Sequence, residues 1–81
     1  MDNIDGEKNI EIRVFLLGIY KKEEGESIKD IIDMMVNSGV FDLKTGKKYL
    51  KDLKKLEYVV DESLSMMGIQ IAKEVELEFK I

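Results

Sequence analysis

Residues 49–72 read YLKDLKKLEYVVDESLSMMGIQIA, and within this stretch the hydrophobic period changes twice. Leu50 and Leu53 share one face of a helix whose other face carries lysines. Tyr58, Val59 and Val60 are then three consecutive strand-forming residues. Asp61-Glu62 is suited to a tight turn, and Ser63-Leu64 to a short return strand. Ser65 is a good helix N-cap. Beyond it Gly68, Ile71, Ala72, Val75 and Phe79 fall at i, i+3, i+4, i+7 and i+11, the face of a further helix. The stretch therefore predicts a helix, a very short hairpin and another helix. The end of the chain carries a second pattern, because Val75, Leu77, Phe79 and Ile81 alternate with Glu76, Glu78 and Lys80 as they would in a strand. A helix is expected from about Ser65 into the seventies, with residues 75–81 open between helix and strand.

Upstream, Asp42 can cap a helix that runs through KTGKKYLKDLKKL (44–56), which holds six of the chain's lysines. On a wheel of about 100° per residue, Lys47, Lys48, Lys51 and Lys55 fall near Lys44. Leu43, Gly46, Leu50 and Leu53 lie opposite, Tyr49 and Leu56 flank them, and Lys54 sits off the stripe. The preceding segment starts at Ser27, with Asp30 three residues on as in a capping box. It places Ile28, Ile31, Ile32, Met35 and Val36 on one face and ends at Asn37, Ser38 and Gly39. A first helix from Glu11 buries Ile12, Phe15, Leu16 and Ile19, and Gly25 turns the chain in EEGES. Residues 1–10 are expected to form a flexible N-terminal segment, and residues 11–81 one domain.

Composition narrows the chemistry. At 81 residues the chain has room for a single small core. It contains no cysteine and no histidine, so disulfides, thiolate metal sites and the commonest general base are excluded. No apolar run reaches the roughly 18–20 residues of a membrane span. The start, MDNIDGEKN, is too polar for a signal peptide, and a cytoplasmic location is expected. Asp30 with Asp33, and Glu74 with Glu78, share helix faces. Without a nucleophile, a metal spacing or a Gly-rich phosphate loop beside them, they read as solvated surface. No enzymatic activity, no cofactor and no small-molecule ligand is expected. Met34, Met35, Met66 and Met67 are expected mainly to fill the core.

Charge is unevenly placed. Residues 1–40 carry five basic and nine acidic side chains (−4), residues 41–56 six Lys and two Asp (+4), and residues 57–81 two Lys and six acids (−4). The basic segment is thus bounded by acidic flanks within a chain of net charge −4.

Three helices, a short hairpin and a further helix resemble, over roughly residues 11–79, a winged helix-turn-helix domain: mainly α with a small β-hairpin. YLKDLKKLEYVV (49–60) looks like the end of a recognition helix entering the first wing strand, where such domains often read L-x-x-L-x-x-x-G-Y-V. SLSMMGIQIA (63–72) is similar to the L-T-x-x-G-x-x-x-A that often closes the wing, with Ser65 in the place of Thr. The turn NSGVFD (37–42) is longer than in a compact helix-turn-helix, and Asp61 and Glu62 stand where DNA-contacting wings often carry Arg or Lys. The resemblance implies a cytoplasmic regulator of transcription that contacts double-stranded DNA through its third helix. Lys44, Thr45, Lys47, Lys48 and Lys51 would approach the bases and Lys55 the backbone. Met66, Ile69 and Leu77 lie off the core face of the last helix, and with Phe79 and Ile81 they make a candidate homodimer contact. The competing expectation, within the same fold, is a protein–protein interaction module. A lysine face is also ordinary helix surface, but such surfaces usually mix both signs, and this stripe does not.

Overall fold

A computed structural model describes residues 10–79 of the chain. The expected N-terminal segment, save Ile10, and the last two residues lie outside the described residues. Four helices and one hairpin follow in order: α1 (Ile10–Tyr20), α2 (Ile28–Asn37), α3 (Leu43–Lys55), β1 (Val59–Val60), β2 (Ser63–Leu64) and α4 (Met66–Phe79). The two strands pair antiparallel, with Val59 opposite Leu64 and Val60 opposite Ser63. Ile10, expected to precede the first helix, is its first residue. Residues 75–79 are helical, so the strand pattern of VELEFKI is not realised there. Val75 and Phe79 are spaced i, i+4 as well as alternating, and the hairpin is too short to offer seven residues a partner.

The starts of α2, α3 and α4 are built from side chains that accept from otherwise unpaired backbone N–H groups. The Ser27 hydroxyl accepts from the Asp30 N–H and the Asp30 carboxylate accepts from the Ser27 N–H, so the capping box is complete. This backbone contact holds the Asp30 carboxyl below its usual range. Asp42 accepts from the Thr45 N–H at 2.8 Å, and Ser65 from the Gly68 N–H at 3.1 Å. The Ser65 hydroxyl also donates to the Glu57 carbonyl at 2.6 Å, joining the end of α3 to the start of α4.

The ends of α2 and α3 are alike. Val40 donates to the Met35 carbonyl and Gly39 to that of Val36; Tyr58 donates to Leu53 and Glu57 to Lys54. These are paired Schellman bonds, which require a left-handed residue after the helix. Gly39 supplies it at φ 81°. After α3 the same place is held by Glu57 at φ 66°, where a Cβ is unfavourable.

The buried hydrophobic residues of the helices and of β1 are Phe15, Leu16 and Ile19; Ile28, Ile31, Ile32 and Met35; Leu53; Val59; Ala72 and Val75, and Leu64 of the return strand packs half-buried against them. Phe41 adds a buried ring from the turn between α2 and α3, which explains why that turn is long. Helix α1 meets α4 through this core, and ion pairs of Arg13 with Glu78 and Lys21 with Glu76 span the same seam. The methionine expectation needs correction. Met35 is buried, whereas Met34, Met66 and Met67 are exposed. Met34 is turned about 100° from Met35, away from the buried face of Ile28, Ile31, Ile32 and Met35.

Gly68 sets how α4 leaves the hairpin. A Cβ there would stand 2.1 Å from the Tyr58 carbonyl oxygen, which also accepts from the Ser65 N–H. Two outcomes are expected in urea unfolding. Gly68→Ala should destabilise the fold by about 1–3 kcal/mol, because backbone must move. Glu57→Gly should stabilise it by about 1 kcal/mol, because the left-handed strain is relieved.

Candidate nucleic-acid interface

Helix α3 is held from one side. Leu53 and Gly46 are buried, Leu50 and Tyr49 are half-buried, and Lys44, Lys47, Lys48, Lys51 and Lys55 are all exposed along the opposite face. Over eleven helical steps this face runs about 17 Å. The structure thus brings the five predicted lysines onto one outward surface. Thr45 does not join them: it lies a quarter-turn round, half-buried, with its N–H engaged by Asp42. Lys54 is exposed beside the stripe. Lys54 and Lys55 occupy the last turn, where the helix dipole favours cations.

Little negative charge intrudes. Asp52 borders the stripe and pairs with Lys48 at 3.2 Å. Asp42 sits at the N-terminus of α3, and its hydrogen bonds from Thr45 hold its carboxyl below the usual range. Lys44, Lys47, Lys51, Lys54 and Lys55 have no carboxylate partner among the described residues. Leu43 and Leu56, at the two ends of α3, and Val60 on β1 are exposed apolar residues.

The rotation of α3 about its axis is fixed by contacts the sequence does not display. The Tyr49 ring meets Phe41 edge-on at 5.7 Å, and Phe41 meets Phe15 in the same way at 5.5 Å. The Tyr49 hydroxyl donates to Glu11 at 2.7 Å, tying the middle of α3 to the start of α1. The wheel placed Tyr49 at the margin of the buried face, but its partner is 38 residues away.

Nor does the sequence display the use of the acidic hairpin. Glu62 is directed at α2, where its carboxylate accepts from the Ile28 N–H at 2.9 Å. It caps a helix and does not face the lysines. The carboxylate pairs noted above also have structural roles: Asp30 completes the capping box, Asp33 pairs with Lys29, and Glu78 with Arg13. On α4, Met66 and Leu77 are highly exposed and Ile69 is half-buried, and exposed Gln70 and Lys73 lie between Met66 and Leu77 on the face where the dimer contact was expected. Among the described residues no helix is long and apolar enough to cross a membrane.

Burial and the Glu11 carboxylate push the Tyr49 hydroxyl up to about 12. An unfolded chain would release that proton near 10. Stability from this contact is therefore complete below pH 10 and declines as pH rises toward 12. Urea midpoints of the protein and of Tyr49→Phe, compared from pH 9 to 12, should converge across that interval. A constant gap would contradict the assignment.

No protein-family model, curated protein or solved structure matches this chain.

Proposed function

We propose that this chain is a small winged helix-turn-helix protein that binds double-stranded DNA through α3 and regulates transcription in the cytoplasm, acting as a homodimer. One observation carries the proposal. On a chain of net charge −4, five lysines form a single-signed, exposed stripe on a helix whose orientation is fixed by its buried face. Such a stripe meets the phosphates of a duplex and displaces their counterions. The order of α2, a turn and α3 supports reading the pair as a helix-turn-helix, in which the second helix would be presented to the major groove.

The side chains also define the kind of binding. The stripe holds no Arg, Asn or Gln, the residues that read bases by paired hydrogen bonds. Lysine contributes point charges. Affinity should therefore come mainly from phosphate contact, with modest sequence discrimination. The hairpin, with two-residue strands and Glu62 capping α2, adds nothing to that contact.

The outer face of α4 supports dimerisation. Met66, Gln70, Lys73 and Leu77 are all exposed at spacings of four, three and four. An antiparallel two-fold pairing sets Met66 against the partner copy's apolar end and Gln70 against its lysine. Two α3 helices would then share one duplex, which offsets the repulsion of phosphate by the acidic flanks. The exposed Met66 and Leu77 also support a second reading, in which α4 binds another protein and DNA plays no part.

Charge reversal separates the two. Lys47→Glu with Lys51→Glu leaves the Lys48–Asp52 pair intact. In fluorescence anisotropy with mixed-sequence duplex at about 50 mM salt, this variant should bind at least about a hundredfold more weakly than the parent. Leu77→Glu should shift the sedimentation of the protein toward monomer. Unchanged DNA binding by the reversed variant would overturn the proposal. A parent that never binds DNA would leave the protein-binding reading.

A further inference from the structure

We propose that Leu43 gives the exposed face of α3 a preference for thymine, by packing against the 5-methyl group that thymine presents in the major groove. This inference deepens the DNA reading above and rests on it.

The helical wheel groups Leu43 with the buried leucines, and the structure does not keep it there. Leu53 is fully buried and Leu50 half-buried, whereas Leu43 is 44% exposed. The exposed residues of α3 are Leu43 and the lysines. Together they fill one arc of about 140° around the helix. Leu43 forms one edge of that arc, with Lys54 and Lys47 next to it, and Lys48 forms the other. Asp52, which pairs with Lys48, borders the far edge, about 180° from Leu43. A duplex drawn to the lysines therefore reaches the Leu43 edge without meeting that carboxylate.

Position along the helix points the same way. Leu43 is the first residue of α3. In a helix-turn-helix the N-terminal residues of the second helix contact base edges. This end of α3 is unsuited to phosphate, because Asp42 caps it. Hydrogen bonds from Thr45 hold the Asp42 carboxyl below its usual range, so the cap carries a negative charge at neutral pH. Lysines begin at the next residue and continue for three turns. The face is thus divided along its length, with an apolar side chain at the base-reading end and cations beyond it.

The chemistry of leucine selects its partner. It neither donates nor accepts a hydrogen bond, so it discriminates between bases only by burying apolar surface. The methyl of thymine is the apolar group that the base pairs display in the major groove. Packing on it removes one methyl-sized group from water, which favours thymine about fourfold for each protomer bound. That contact involves no counterion, so the preference should persist while added salt weakens binding to every duplex.

Replacing thymine with uracil deletes the methyl and keeps both the base pairing and the phosphates. Fluorescence anisotropy with an A·T-rich duplex and its uracil counterpart reads the ratio of affinities directly. The full-length protein should favour the thymine duplex about fourfold per protomer, at both about 50 and about 200 mM salt. Leu43→Ala should bring the ratio close to one. Leu43→Met keeps an apolar side chain at the site and should retain the preference. Leu56→Ala, at the other end of α3, should retain it too. Equal binding of the two duplexes by the parent protein overturns the inference and leaves the DNA reading standing, as does a ratio that survives in Leu43→Ala. Binding to neither duplex overturns both.

Discussion

Phe41 stands between α1 and α3, edge-on to Phe15 on one side and to Tyr49 on the other, and the outward face of α3 depends on that placement. Edge-to-face pairs of this kind contribute about 0.5–1.5 kcal/mol beyond the area they bury. Their larger effect here is rotational. With Phe41 against Tyr49 and Leu53 fully buried, α3 has one setting about its axis, and in that setting the lysines face outward. Gly46 makes room for the ring: a Cβ there would stand 2.6 Å from Phe41. The aromatic residue comes from the turn, so the additional length of NSGVFD supplies the part that orients the next helix.

The charges divide by role. Asp30 and Asp42 cap their own helices, Glu62 caps α2 from the hairpin, and Asp33, Asp52, Glu76 and Glu78 pair with cations. Many of the acids of this acidic chain are thus engaged in local structure. Most lysines of α3 have no such engagement. An exposed ion pair contributes little to stability, so the fold does not need the stripe to be single-signed, and the partner of opposite charge proposed here would account for it.

Much of this architecture was legible along the chain, because it is written in periods and caps. Ile28, Ile31, Ile32 and Met35 announced the buried face of α2, Ser27 and Asp42 the starts of α2 and α3, and Tyr58 to Leu64 the hairpin. What stayed hidden were contacts between residues far apart in sequence. The Glu62–Ile28 cap and the Tyr49–Glu11 bond join side chains and backbone 34 and 38 positions apart. No local pattern marks them. The last segment was ambiguous for a different reason, since residues at i and i+4 satisfy both a strand and a helix. Thr45 was grouped with the lysines by its place in the first turn, although the wheel sets it about 100° from Lys44, at the margin of the stripe.

The central claim is that the exposed face of α3 exchanges bound counterions of DNA for its own lysines. The most direct measurement is the slope of log K against log salt concentration for a mixed-sequence duplex between about 50 and 200 mM. Five lysines on phosphate predict a slope of about −4 to −5 for each protomer bound, a loss of several hundredfold in affinity across that range. A slope near zero, or no binding at the lowest salt, would contradict the account.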